Sequence, residues 1–486
     1  MQDLSGGEAK VVYTDPSPGV AVDVSPDGSR ALLLLHGIGG HSLLEVDLAT
    51  GTAKRLYPAE GKLAIIATAA YATDGKRAFV ATDAGPDSYS VLALDTASLA
   101  TLAEYKQDAP ASAGVGAIAT SPRGDVIAIV VDAGNHTTVR VLDAKTLAVR
   151  KEVATPLGTV SLGTTTEVNV PIVNGETFST DGAHFVIGIS RPDAPSDIYV
   201  VDTATGAMAK LRHDKRAGLD ALAPMKASIE KVTAFDGLTI PVNVYLPQRS
   251  DGRTERLPTI VSFHGGPDAS STLEWNPLTR AFVAFGFAVL EPNVRGSTGF
   301  GRAYEQADDK EKRGNSMKDV ASVNQWARAQ SFCDPDRLVV EGASYGGYVV
   351  LMGLTRQPAL WSAGVDLVGM SDLTTMAAYA AKSGQVHVAN EFGDVEKDAK
   401  LLVEYSPIRD ADKIVSPLFV YQGQNDTHVP RSQADEIVRM MRQRNMHVEY
   451  MVAANEGHSM SHRENTLAFL TRVTRFLHDE LKIPQR

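Results

Sequence analysis

The first half of the sequence repeats itself about every 50 residues. Each unit contains a turn signal such as SPDG at 25–28 and, after a run of alternating apolar residues, an aspartate. These aspartates, spaced 48, 48 and 59 residues apart, are Asp47, Asp95, Asp143 and Asp202. Short strands of period two, joined by Gly, Asp and Pro turns at this period, are typical of propeller blades. We therefore predict an all-β propeller over residues 1–224; a β-sandwich with coincidental turns is the alternative.

The first residues of the chain look like one more piece of this repeat. QDLSGGEAKVVY at 2–13 matches the closing strand of a unit, with Asp3 in the place of Asp47. Two interpretations are open: this orphan strand completes the last blade as a strap, or the sequence begins partway through a longer propeller. We favour the second, because the four complete units are few to support the domain that follows.

The second half has a different pattern. A second domain is expected, because 486 residues are more than one hydrophobic core usually accommodates. Residues 226–247 predict two antiparallel strands around the Asp236-Gly237 turn. After them, apolar strands such as 256–263 alternate with helical segments such as 315–330. Such alternation is typical of a mostly parallel sheet covered on both faces. We therefore predict a doubly wound α/β domain over residues 225–486.

The segment EGASYGGY at 341–348 lies at the junction between a predicted strand and a predicted helix. By itself, Gly342-x-Ser344-x-Gly346 is a weak signal, and Ser344 could serve only as a helix N-cap. The strand LVVEGA before it and the helix YGGYVVLMGL after it supply the context of a nucleophile elbow. Such a turn presents Ser344 at the carboxyl end of the sheet, where ligands bind in open α/β folds.

A serine nucleophile requires a base, and the base requires a group that orients it. His458 follows a predicted strand and precedes the last helix, so it is the preferred base. Asp426 follows a buried strand between Ser344 and His458, which gives the order of the α/β-hydrolase fold. Weaker candidates are His387, His428, His447 and His462 for the base, and Asp366 and Asp435 for the orienting carboxylate.

Two further patterns bear on the chemistry. HGGP at 264–267 follows a strand, and its glycine pair lets the backbone approach a substrate, so the N–H groups of Gly266 and Tyr345 are predicted to form an oxyanion hole. His458 and His462 are four residues apart, a spacing that can hold zinc on a helix. Because Gly457 makes that segment a loop, we predict no metal site.

The net charge, the single cysteine and the absence of long apolar runs limit which functions and locations are expected. The net charge of −11 and the pI of about 5.6 argue against nucleic-acid binding. Cys333 is the only cysteine, so no internal disulfide can form, which fits a reducing compartment. Neither a signal peptide nor a membrane-spanning apolar run is recognised, so a cytoplasmic protein without membrane partners is expected. A periplasmic or secreted location applies if the N-terminus is truncated.

Five motifs together resemble those of one family. They are HGGP at 264–267, NVRGSTGFG at 293–301, GASYGGY at 342–348, GQNDTHVP at 423–430 and EGH at 456–458. The chain resembles the prolyl oligopeptidase family of serine peptidases, especially its acylaminoacyl-peptidase-like and dipeptidyl-peptidase-like branches. This resemblance implies a propeller followed by an α/β-hydrolase domain, with short peptides as substrates. It also implies a Ser344, Asp426 and His458 triad, with Gly266 and Tyr345 as oxyanion donors.

The chain departs from this family at two places. Where some relatives carry a tyrosine hydroxyl as an oxyanion donor, this chain has His264, which places His264 in the oxyanion and substrate-binding region. Dipeptidyl peptidases hold the free amino terminus with paired glutamates, whereas no Glu-Glu dipeptide occurs in this sequence. This absence weakens the case for a dipeptide-releasing specificity, and the sequence leaves the release of dipeptides or of acylated residues open.

The resulting interpretation is a cofactor-independent serine peptidase that hydrolyses short peptides through an acyl-enzyme on Ser344. A carboxylesterase on the same fold and a non-catalytic binding protein are the alternatives. The sequence does not determine the side-chain preference, exo- or endo-action or the oligomeric state. A homo-oligomer is one of the open options.

Overall fold

The first half of the chain forms four antiparallel sheets of four strands each in a computed structural model. This structure describes residue 6 and residues 8–37, 40–85, 88–106, 114–162, 177–213, 216–248, 256–383 and 385–483. In each sheet the strands are hydrogen-bonded in the order of the chain. The strands are β1 Gly19–Val24, β2 Arg30–Gly37, β3 Gly40–Asp47, β4 Ala53–Tyr57, β5 Ile66–Tyr71, β6 Arg77–Gly85, β7 Ser88–Asp95, β8 Thr101–Lys106, β9 Val115–Thr120, β10 Val126–Asp132, β11 Thr137–Asp143, β12 Val149–Val153, β13 Thr159–Leu162, β14 His184–Arg191, β15 Ala194–Asp202 and β16 Met208–Lys210.

The repeated aspartate ends the third strand of every sheet and organises the turn that follows. Asp95 Oδ1 accepts the N–H of Ala97 at 3.2 Å, and the N–H and hydroxyl of Ser98 at 2.7 and 2.8 Å. The same three bonds recur at the other three aspartates, with a threonine as the hydroxyl donor. Each carboxylate thus replaces backbone partners that the turn lacks.

Consecutive sheets are joined by apolar contacts. One cluster combines residues of the first two sheets, such as Leu34 and Val80. A second joins the second and third sheets, and a third joins the third and fourth through residues such as Val130 and Ile187. Alternating side chains of each strand therefore face a neighbouring sheet, which explains the period of two in the sequence.

The second half forms an eight-stranded mixed sheet in the order β17-β18-β20-β19-β21-β22-β23-β24. The first two strands pair antiparallel around the predicted Asp236-Gly237 turn, and strands β19 to β24 are mutually parallel. The strands are β17 Met225–Thr233, β18 Thr239–Pro247, β19 Leu257–Phe263, β20 Ala288–Pro292, β21 Cys333–Ala343, β22 Ala363–Leu367, β23 Leu418–Gly423 and β24 Val448–Ala453.

Helices cover both faces of this sheet. Successive residues of β21 point to opposite faces: Val340 joins the cluster with α3, α4 and α8, and Val339 joins the cluster with α1 and α9. The helices are α1 Pro277–Ala284, α2 Arg302–Glu305, α3 Arg313–Ala329, α4 Tyr345–Arg356, α5 Leu373–Ser383, α6 Val386–Glu391, α7 Ala399–Glu404, α8 Ser432–Gln443 and α9 Arg463–Glu480. Burial on both faces explains why the strands read as continuous apolar runs.

The chain divides into two compact units, residues 1–216 with 299–303, and residues 217–298 with 304–486. The division therefore falls at 216/217, whereas the sequence placed it at 224/225. The described part of the predicted orphan strand, residues 8–13, forms no strand, and Asp3 lies outside the described residues. That expectation was wrong for 8–13, because each of the four sheets takes its four strands from later residues. No helix within the described ranges is long and apolar enough to cross a membrane.

The aspartate turns predict a graded response to substitution. We expect Asp95→Ala to lower the urea midpoint of unfolding, because three donors in the turn lose their acceptor. Asp95→Asn keeps a side-chain carbonyl and should stay closer to the parent protein. Equilibrium unfolding followed by circular dichroism measures both. Equal midpoints for the alanine and asparagine variants would contradict a role for the carboxylate oxygen.

Candidate active site

Ser344 occupies a sharp turn between β21 and α4. Its backbone has φ 59° and ψ −115°, a conformation that is costly for a residue with a side chain. The turn is closed by contacts that only glycine permits. A Cβ on Gly346 would lie 2.0 Å from the carbonyl oxygen of Phe263, and a Cβ on Gly342 would lie 2.5 Å from the carbonyl carbon of Gly346. The packing around these glycines holds the strained turn and directs the serine side chain away from it.

The structure brings Ser344, His458 and Asp426 into one line of hydrogen bonds. His458 Nε2 lies 3.0 Å from Ser344 Oγ, and His458 Nδ1 lies 2.8 Å from Asp426 Oδ2. Asp426 follows β23 and His458 follows β24, so neighbouring parallel strands deliver both groups to the same edge as Ser344.

The surroundings of Asp426 keep it ionised. Burial alone would raise its pKa, but hydrogen bonds from His458 and from the backbone N–H groups of His428 and Val429 outweigh burial and lower the pKa. An ionised carboxylate accepts the proton on His458 Nδ1 and leaves a lone pair on Nε2, which faces the Ser344 hydroxyl. The arrangement can therefore move the serine proton to the imidazole.

The loop at 264–267 lies beside the nucleophile. A Cβ on Gly265 would be 3.5 Å from Ser344 Cβ. The N–H of Tyr345 is at the first residue of α4, where no intrahelical acceptor exists. Within the described part of the chain, the N–H of Gly266 has no hydrogen-bond acceptor either. Two backbone donors near Ser344 are thus available to an oxyanion.

The sequence placed His264 in the oxyanion and substrate-binding region, and in the structure both of its ring nitrogens have partners. Its Nδ1 lies 2.7 Å from the Gly265 carbonyl oxygen, and its Nε2 lies 2.8 Å from Ser297 Oγ. Burial lowers the pKa of His264, so the ring is neutral. Because a carbonyl can only accept, Nδ1 carries the proton, while Nε2 and the Val294 carbonyl oxygen share the hydroxyl of Ser297. His264 therefore holds the loop in place.

A buried charged network, which the sequence did not reveal, surrounds the side chain of Tyr345. Arg313 Nη1 donates to the Tyr345 hydroxyl at 2.7 Å, and that hydroxyl donates to Asp308 Oδ2 at 3.0 Å. Arg313 also pairs with Asp308 and, at 3.0 Å, with Glu391. Its guanidinium stacks on the rings of Tyr345 and Phe392.

Burial raises the pKa of Asp308 to about 6, and Arg313 opposes this rise. Burial and the neighbouring Asp268 also raise the pKa of Glu391. The network fixes the Tyr345 side chain, and with it the start of α4 and the Tyr345 N–H.

The weaker histidine candidates have other partners. His447 Nδ1 lies 2.6 Å from Glu480, and His462 lies 3.1 Å from Glu456. His458 and His462 therefore do not share a site. His428 is exposed, and its ring stacks on that of His458 with centroids 4.9 Å apart. The side chain of His387 lies outside the described residues.

The weaker aspartate candidates are also engaged elsewhere. Asp366 is fully buried and accepts the N–H of Gly369 at 3.0 Å, and burial raises its pKa to about 8. Asp435 contacts Arg431 and Tyr450. Within the described residues, neither carboxylate shares a hydrogen bond with a candidate base.

Comparisons with known proteins show which proteins this chain resembles. A model of the prolyl oligopeptidase family matches residues 273–483. Dipeptidyl aminopeptidase BIII of Pseudoxanthomonas mexicana is 31% identical over 416 residues, which are 83% of this chain and 58% of that protein. Dipeptidyl peptidase family member 6 of Caenorhabditis elegans is 26% identical over 330 residues, 63% of this chain and 44% of that protein. The chain thus spans about half the length of these relatives.

Among solved structures, that of a puromycin hydrolase is similar with a TM-score of 0.82 and 22% identity, over 95% of this chain and 69% of that one. Such enzymes have an N-terminal propeller and a C-terminal α/β-hydrolase domain. The predicted fold class is therefore confirmed.

The Arg313 network predicts a large stability effect. Arg313→Met would leave Asp308 and Glu391 buried without their cation, and breaking a buried pair in this way costs about 3–5 kcal/mol of unfolding free energy. The matched control is Arg356→Met, which removes a partly exposed pair with Asp410 and should cost about 1 kcal/mol or less. Urea unfolding measures both. Similar losses for the two variants would contradict a structural role for the Arg313 network.

Proposed function

Since the chain carries a prolyl oligopeptidase family domain, as its motifs indicated, we propose that it is a serine peptidase that acts on short peptides. Both relatives compared above are named as dipeptidyl peptidases or aminopeptidases. The observation that supports the proposal most strongly is the position of His458, 3.0 Å from Ser344 Oγ and 2.8 Å from Asp426 Oδ2.

The proposed reaction begins with transfer of the Ser344 proton to His458 Nε2 while Oγ attacks the scissile carbonyl. Asp426 holds the Nδ1 proton and stabilises the imidazolium that forms. The N–H groups of Tyr345 and Gly266 donate hydrogen bonds to the negatively charged carbonyl oxygen. One such donor typically contributes about 3–4 kcal/mol to the transition state.

The imidazolium of His458 then protonates the leaving amine, and the C–N bond breaks to give an acyl-enzyme on Ser344. Water repeats the sequence in the second half of the reaction: His458 takes a proton from water, the hydroxide attacks the ester, and Ser344 recovers its proton. The proposed chemistry uses only groups of this chain.

Ser344→Ala tests the nucleophile. We expect kcat for peptide hydrolysis to fall by about 10⁶, because His458 loses the group that it activates. A fluorophosphonate should label Ser344 in the parent protein, with the site identified by mass spectrometry. The matched control is Ser362→Ala, at the opposite end of the parallel strands, which should retain activity and labelling.

An unchanged rate for Ser344→Ala would remove Ser344 from the mechanism. A properly folded parent protein that neither hydrolyses peptides nor reacts with the probe would indicate the non-catalytic binding protein instead.

Paired substrates with the same acyl group, one a peptide amide and one an aryl ester, separate the peptidase from the esterase. We expect both to be hydrolysed, because His458 is placed to protonate an amine leaving group as well as to activate Ser344. Hydrolysis of the ester alone would indicate a carboxylesterase. Digestion of a peptide library, read by mass spectrometry, then reports exo- or endo-action and the preferred residue.

A further inference from the structure

His428 has no role in the proposed reaction, yet it lies against the catalytic base. Its ring stacks on the His458 ring, with centroids 4.9 Å apart and planes inclined by 26°. Within the residues that the structure describes, the His428 side chain makes no hydrogen bond or ion pair, and it is exposed to solvent. A free imidazole in this position is available to bind a ligand.

The three side chains Asp426, His428 and His458 have the composition of a zinc site. One carboxylate oxygen and one ring nitrogen from each histidine lie within 4.8 Å of one another. Two histidines and one carboxylate are a ligand set that zinc accepts with a water in its fourth position. We propose that a divalent zinc ion binds to these three residues and reversibly inhibits the enzyme.

The present geometry needs only a small change to accept the ion. Asp426 Oδ2 and His458 Nδ1 are already 2.8 Å apart, and a tetrahedral zinc site separates its ligand atoms by about 3.3 Å. A metal lies in the plane of each imidazole, so the His428 ring must leave its stacked position. Because that ring is exposed and held only by the stack, rotation of its side chain can bring a nitrogen to the ion.

The site also has support for its ligands and a path for the ion. Asp426 Oδ1 accepts the N–H groups of His428 and Val429 at 2.8 and 2.9 Å, which orients the carboxylate. Gln422 Nε2 lies 3.2 Å from Asp426 Oδ2. His428 is exposed on the solvent side of the cluster, so an ion from solution can reach its imidazole first.

Binding would stop catalysis by changing which nitrogen of His458 carries the proton. Zinc coordinates the lone pair of Nδ1 in the neutral imidazole, so the single ring proton moves through solvent from Nδ1 to Nε2. Nε2 then has no lone pair left to accept the Ser344 proton. The ion also occupies the Asp426 carboxylate, which can no longer stabilise an imidazolium.

The test measures binding and rate separately, on the full chain after treatment with a chelator. Competition with a chromophoric zinc indicator should give one zinc ion per chain. Zinc should lower the rate of peptide hydrolysis in parallel with this binding, and EDTA should restore it. Magnesium and calcium, which prefer oxygen ligands and larger coordination numbers, should leave the rate unchanged.

His428→Phe is the decisive variant, because it keeps a ring against His458 and removes the ligand nitrogens. We expect its half-inhibiting zinc concentration, measured relative to its own metal-free rate, to rise by roughly 10–100-fold or more. His447→Phe removes an exposed histidine that pairs with Glu480 and should leave inhibition unchanged.

Inhibition of His428→Phe at the parent concentration, or no stoichiometric binding to the parent protein, would overturn the proposed zinc site. Only the inhibitory effect rests on the proposed peptidase function. If no peptide is hydrolysed, the indicator assay on the parent protein and on His428→Phe still decides whether the site binds zinc.

Discussion

The contact between Gly346 and the carbonyl oxygen of Phe263 fixes the geometry on which the site depends. Any side chain at position 346 would place a carbon 2.0 Å from that oxygen, so α4 can begin here only with glycine. The contact joins the end of β19 to the start of α4 and sets the loop at 264–267 beside Ser344. One close backbone approach therefore positions the nucleophile and both proposed oxyanion donors. The packing excludes a relaxed backbone conformation at this turn, so Ser344 keeps its strained φ.

The parallel sheet supplies the rest of the site through its strand order. β21, β22, β23 and β24 are consecutive neighbours, and all of them end at the same edge. Residues separated by 82 and 32 positions in the chain thus meet through loops that follow adjacent strands. The charged network of Arg313 completes the assembly from the other side of α4. The network anchors the Tyr345 side chain in the core. Burying the Arg313 cation alone would cost free energy, and its contacts with Asp308, Glu391 and the Tyr345 hydroxyl offset that cost.

The features that were easiest to predict from the sequence are those whose determining residues lie close together in the chain. The aspartate turns of the first half and the glycines around Ser344 act within a few residues, so their patterns predicted the structure directly. The triad was predicted because each member follows a strand. Arg313, Asp308 and Glu391 lie in segments without apolar periodicity, and only the tertiary fold brings them together. The role of His264 was also missed, since its partner Ser297 is 33 residues away.

In the described part of the chain, two clusters bring together side chains of the types that serve as metal ligands, and their charge balance distinguishes them. Asp308, Asp309 and Glu391 form the first, but Arg313 pairs with two of its three carboxylates and already acts as its cation. Asp426, His428 and His458 form the second, which contains a lowered-pKa carboxylate and no arginine or lysine among its hydrogen-bond partners. Catalysis requires an ionised Asp426 and a neutral His458, and zinc also binds to a carboxylate and a neutral imidazole, although it takes Nδ1, which carries the proton during catalysis. The electrostatic state that activates Ser344 is therefore the one that exposes the triad to a competing cation.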